Sequence, residues 1–122
     1  ILEKYPRDIQ LLGLGSNGHI AFNEPNTPFD SMTHVVTLAE STVKDNARLF
    51  SDISEVPRKA YTMGLKSIMQ AKKIIVLANG LNKAEIVSKL MYGSPSQELP
   101  ASILYNHKDC TVILDEEAAS KL

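Results

Sequence analysis

Apolar positions along the chain follow two periods, one of strands and one of helices, taken in turn. Ile9-Gln10-Leu11-Leu12-Gly13-Leu14 is a short apolar run stopped by glycines and predicts a buried strand. Gly15 to Asp30 carries Pro25 and Pro28 and no helical period, so it predicts a loop of more than a dozen residues, long enough to suspect function. Thr33 to Leu38 is β-branched and predicts a strand. Val43, Ala47 and Phe50 then recur at helical spacing behind Ser41 and Thr42, which are suited to cap the start. Ala60 to Thr62 reads as a short extended piece, and Leu65, Ile68 and Met69 as the inner stripe of a helix ending near Lys72.

Ile74-Ile75-Val76-Leu77-Ala78 is the clearest buried strand. After Asn79-Gly80-Leu81, the pair Asn82 and Glu85 has capping-box spacing for a helix whose inner face is Ala84, Val87, Leu90 and Met91, with Gly93 at its end. Thr111 to Leu114 predicts a last strand, and Asp115 the cap of a final helix with Glu116 and Glu117 in its acidic first turn. Alternating strands and helices argue an α/β fold: a Rossmann-like, mainly parallel sheet with a mixed edge, flanked by helices. No repeat or low-complexity linker divides the 122 residues, so 1–122 reads as one domain.

Composition narrows the function classes. Thirteen basic and 14 acidic residues leave a net charge of −1, which gives no electrostatic case for nucleic acid. The apolar runs are far shorter than the roughly 20 residues that span a bilayer, and no signal peptide is visible. One cysteine, Cys110, excludes an internal disulfide framework, and no Cys/His set has zinc spacing. These features together predict a cytoplasmic, metal-free protein. The start at Ile1 rather than Met points to a piece of something longer.

Gly13-Leu-Gly15-Ser-Asn-Gly18 matches the dinucleotide pattern G-x-G-x-x-G, with Glu40 downstream where a ribose-binding acid would fall. That chemistry needs a helix beginning inside the glycines so that its N–H groups hold a pyrophosphate. His19-Ile-Ala-Phe-Asn-Glu-Pro25 cannot supply a long one, because the prolines stop it. The polar residues of the loop are the better clue. Asn17, His19, Asn23 and Glu24 cluster at the carboxyl end of a predicted parallel strand, where open α/β sheets bind ligands. A histidine there is a general acid/base, and a carboxylate such as Glu24 could fix its tautomer. His19 as a turn residue and Glu24 as a local cap explain the same residues equally well.

The stretch Leu11-Leu-Gly-Leu-Gly-Ser-Asn-Gly-His-Ile-Ala-Phe-Asn-Glu-Pro25 resembles the signature of the glucosamine-6-phosphate deaminases, also called isomerases. The likeness continues through Asn46–Phe50, Val56-Pro57, Thr62–Gly64, Ile74–Lys83 and Pro100–Leu114. It covers essentially this whole chain but only about the C-terminal half of a family member. The resemblance implies conversion of glucosamine 6-phosphate and water to fructose 6-phosphate and ammonia, with no cofactor and no metal. By motif match His19 assists opening of the sugar ring and Glu24 is its relay partner. Asn17 falls on a second relay position that is Asp in many members, and an amide stabilises an imidazolium less than a charge does. Arg48 and Lys83 fall on the positions that bind the substrate phosphate.

The family's phosphate-binding Ser/Thr-Gly loop and the aspartate that moves the C2 proton belong to the N-terminal half, and Asp8 reads only as a turn residue. The implied partners are therefore a phosphorylated amino sugar and the missing N-terminal half, with self-association through an exposed sheet edge as a further expectation. His34 and Val36 stand where members under allosteric control carry basic residues, so His34 reads as a plain strand residue. His107 reads as a surface turn and Cys110 as a small core residue. Two alternatives stay open. One is a 6-phosphogluconolactonase, which shares the fold and a Gly-His motif, and the other is a non-catalytic sugar-phosphate-binding module.

Overall fold

The computed structural model describes residues 1–2 and 4–122. Three parallel strands form the main sheet in the order β1 (Ile9–Gly13), β4 (Lys73–Ala78), β5 (Cys110–Leu114). Gly13 lies opposite Leu77, and Ala78 opposite Leu114, so the carboxyl ends of all three strands share one rim. The antiparallel component is a separate two-stranded sheet, β2 (His34–Thr37) against β3 (Lys59–Thr62). Between β2 and β3 runs α1 (Glu40–Asn46), which tightens into a 3₁₀ turn over Ala47–Leu49. Two further helices, α2 (Leu65–Ile68) and α3 (Ala84–Tyr92), and a 3₁₀ segment at Pro100–Asn106 complete the fold.

The helices cover one face of the main sheet only. Leu12, Ile74 and Val76 alternate inward and pack with Leu65, Ile68, Val87 and Leu90 in a continuous core. The opposite face carries Ile9, Leu11, Leu77 and Ile113, all 44% or more exposed. A parallel sheet ordinarily has both faces covered, so this bare apolar face is an unusual surface. No helix among the described residues is long and apolar enough to cross a membrane.

Four local expectations give way to tertiary contacts. The predicted final helix after Asp115 is a run of turns instead. The Asp115 carboxylate does accept from the Ala118 amide at 2.8 Å, as a cap would. It also accepts from the Gly80 amide at 2.9 and 3.0 Å, which ties the end of β5 to the loop after β4. The Asn82/Glu85 capping box does not form. Lys83 is the N-cap of α3 with no side-chain cap, and Glu85 pairs with Lys121. Helix α1 begins at Glu40 after Ala39, so Ser41 and Thr42 lie inside it rather than at its cap. His107 is a half-buried pin rather than a plain surface turn. Its Nδ1 accepts from the Asp109 amide at 3.1 Å, which leaves Nε2 to donate to the Ala71 carbonyl at 2.8 Å. Cys110 opens β5 half-buried, and burial, helped by Asp109, pushes its thiol pKa up, as an unreactive packing residue would show.

Candidate active site

The loop after β1 is folded around the histidine. Gly15 packs so closely on the His19 ring that a Cβ there would lie 2.3 Å from it. The Gly15 amide donates to the His19 carbonyl at 2.9 Å, and the Gly18 amide to the Gly15 carbonyl at 2.9 Å. Gly18 takes a φ of +83°, which favours glycine. No helix follows these glycines before α1, so they close a turn on an imidazole rather than on a pyrophosphate. Beyond it Asn23 is fully buried and donates to the carbonyls of Ile20 and Met63, while the Phe22 amide donates to Thr62 Oγ1. The loop is thereby stitched to β3. Ala21, between these anchors, holds a left-handed φ of 52°.

Hydrogen-bond bookkeeping fixes the imidazole tautomer. Asn17 Oδ1 lies 2.7 Å from His19 Nδ1 and also accepts from the His19 amide at 3.2 Å. Asn17 Nδ2 donates to Glu24 Oε2 at 2.6 Å. A carboxylate acceptor on one side and an amide donor on the other set which end of the Asn17 side chain is oxygen. His19 Nδ1 must then donate, so in the neutral ring Nε2 keeps its lone pair, with no protein hydrogen-bond partner among the described residues. The other Glu24 oxygen accepts from Thr42 Oγ1 at 2.5 Å, extending the chain of bonds into α1.

Burial lowers the His19 pKa from its ordinary value of 6.5. The Glu24 carboxylate opposes that shift, Lys83 adds to it, and Asp45 opposes it again. The balance favours a neutral imidazole, a base rather than an acid at rest.

His19, Arg48 and Lys83 line one cleft of about 300 Å³ at the carboxyl rim of the main sheet. The wall also includes Thr42, Asp45 and Asn46 of α1 and the segment from Gly13 to Gly15 at the end of β1. Lys83 stands where α3 begins, behind a 3₁₀ turn (Leu81–Lys83) whose bonds to the Gly80 and Leu81 carbonyls take up the Lys83 and Ala84 amides. Asn17 and Glu24 stand behind His19 rather than in the wall. Of the predicted residues, three therefore meet in the cleft and two support one of them. Thr42 and Asp45 were missed as site residues. The signal was the three-residue recurrence Thr42, Asp45, Arg48, which places them along one side of a helix ending in a 3₁₀ turn.

An imidazole at the carboxyl rim of a parallel sheet, beside two cations, is the layout of an α/β protein that handles an anionic small molecule. The chain belongs to the family described as glucosamine-6-phosphate isomerases/6-phosphogluconolactonase, which it matches over residues 2–113. Curated relatives include a glucosamine-6-phosphate deaminase from Lactobacillus johnsonii, 58% identical over all 122 residues and 51% of the relative. Another, from Listeria monocytogenes, is 57% identical over the whole chain and 52% of the relative. Among solved structures, a monomeric glucosamine-6-phosphate deaminase superposes with a TM-score of 0.92 at 56% identity, covering 94% of this chain and 48% of that one. A 6-phosphogluconolactonase from Trypanosoma cruzi gives 0.70 at 28% identity, covering 94% and 41%. The chain thus spans about half the length of the curated relatives it matches.

Proposed function

We propose that this chain is the ring-opening and phosphate-binding half of a glucosamine-6-phosphate deaminase. The observation that carries the reading is the His19 tautomer. A neutral imidazole, oriented by Asn17 and Glu24, offers an unshared Nε2 lone pair in a cleft that also holds Arg48 and Lys83. Nε2 is suited to take the proton of the anomeric hydroxyl and deliver a proton to the ring oxygen, so the cyclic sugar opens to the aldehyde. The imidazolium formed in passing is stabilised by Glu24, whose carboxylate lies 3.7 Å from Nδ1. The Arg48 fork and the Lys83 ammonium are suited to hold the phosphate and so position C1 and C2.

Moving the C2 proton to C1, and hydrolysing the resulting C2 imine with water to the ketone and ammonia, calls for a further base near C2. That base is assigned to the half of the relatives' length that this chain does not span. The bare sheet face of Ile9, Leu11, Leu77 and Ile113 would be covered by the same half. A cytoplasmic setting goes with this proposal.

Ammonia release from glucosamine 6-phosphate by the whole protein tests the reading. His19→Gln should slow the ring-closed substrate most and matter less when an open-chain form is supplied. A whole protein that hydrolyses 6-phosphogluconolactone and releases no ammonia would assign it to the other branch of the family.

A further inference from the structure

The cleft contains one carboxylate for which the proposed chemistry has no use. Asp45 lies on the last turn of α1 and lines the same wall as His19, Arg48 and Lys83. Glu24 is committed to Asn17 and Thr42 behind the imidazole, whereas the Asp45 carboxylate makes no hydrogen bond or ion pair among the described residues. A negative charge at a helix carboxyl end opposes the helix dipole, so its place there is not explained by helix stability. Its field reaches the catalytic loop, since it is one of the charges that act on His19.

The charges around the cleft have a definite pattern. Two cations, Arg48 and Lys83, share the wall with one acid. A hexose phosphate needs only the cations. An amino sugar phosphate carries a phosphate and, on C2, an ammonium, and it matches cations and acid together.

Resting on the function proposed above, we propose that Asp45 selects for the amino substrate by pairing with the ammonium on C2. An analogue with hydroxyl in place of nitrogen leaves that carboxylate unmatched beside the bound phosphate, so discrimination comes both from attraction of the right ligand and from repulsion of the wrong one. Asp45 is a substrate-selecting residue here, not the base for C2. Once the amine is released as ammonia, the pairing is gone, and the ketose phosphate product is held by the cations alone.

The test uses two reduced, open-chain ligands that cannot turn over, 2-amino-2-deoxyglucitol 6-phosphate and glucitol 6-phosphate. They differ only in the C2 substituent. Calorimetric Kd values are measured for the whole protein and for its D45N variant at neutral pH. Asp45 is exposed, so the substitution should leave the fold intact, and circular dichroism checks that it does. The unaltered protein is expected to prefer the amine, and D45N to lose that preference on the order of tenfold, as for a charged hydrogen bond. Most of the loss should be weaker amine binding, with glucitol 6-phosphate unchanged or tighter. Equal changes for both ligands would make Asp45 a general modulator of the phosphate site and overturn the proposal. So would unchanged affinities with loss of turnover, which would make Asp45 the proton-transfer base. Ammonia release by the unaltered protein is scored separately, so failure of the deaminase reading is distinct from failure of the selectivity claim.

Discussion

The Glu24 carboxylate stands 3.7 Å from His19 Nδ1 and does not hydrogen-bond it. Asn17 fills the space between them, accepting from the imidazole at 2.7 Å and donating to the carboxylate at 2.6 Å. The charge that steadies the ring is thus felt through an amide. Burial, not the carboxylate, has the larger say over the ring's protonation.

Exchanging that amide for an acid should reverse the balance. Asn17→Asp sets a second carboxyl group against Glu24 and a negative charge at Nδ1, favouring imidazolium. The acid limb of the kcat/KM profile should move to higher pH. An unmoved limb would mean that it does not report His19.

The depressed His19 pKa also predicts a pH dependence of stability. As pH falls through the ordinary value of 6.5, the unfolded chain takes up a proton that the folded chain resists. Stability therefore drops from about pH 6.5 down to the folded pKa and levels off below it. His19→Gln should remove this part of the slope in denaturation curves taken between pH 5 and 7. A difference between the two proteins that is constant across that range contradicts the assignment.

Gly15→Ala tests the packing of the ring. The added Cβ would sit 2.3 Å from the imidazole, so the ring must shift. A displacement of about 1 Å costs on the order of 100-fold in rate. Turnover should collapse while the far-UV spectrum stays native.

The two cations should act on substrate capture. Lys83→Ala and Arg48→Ala are each expected to raise KM by about 10- to 100-fold, the worth of a charged hydrogen bond. Arg48→Lys should recover only part of the loss, because the planar fork is not replaced. Steady-state kinetics in the whole protein decide this, and a kcat effect with unchanged KM would remove both residues from the phosphate site.

Asp115→Ala should destabilise the fold by about 1 kcal/mol, since it strips acceptors from the Gly80 and Ala118 amides. It should also loosen the loop that presents Lys83. A midpoint of urea unfolding equal to that of the unaltered chain counts against the tie.

How much of this was legible in the sequence depended on how local the cause was. The strands β1, β4 and β5 announce themselves as short apolar runs, of which Ile74–Ala78 is clearest. The antiparallel pairing of β2 with β3 does not, because the register that sets His34 opposite Thr62 joins residues far apart in the chain. The capping spacing of Asn82 and Glu85 was real, but Lys121 claims Glu85 from beyond β5. Asp115 was read correctly as an acceptor of backbone amides and wrongly as the start of a helix, because Gly80 shares its carboxylate. His19, Arg48 and Lys83 were legible as a set by motif, and the cleft brings them together. The link of Thr42 to Glu24 was not, because a threonine inside a helix gives no sign of which distant acceptor it will meet.

That link has a mechanical consequence. The hydroxyl of Thr42 on α1 is fastened to Glu24 in the histidine loop, and Arg48 follows on the turn that ends α1. The arm that would grip the phosphate and the loop that would move protons are therefore yoked at one point. Any rotation of α1 as Arg48 closed on an anion would be felt at Glu24, then at Asn17, then at the imidazole. An empty cleft and a filled one need not hold His19 at the same angle, and a grip on the distant phosphate would then be a means of aiming the ring.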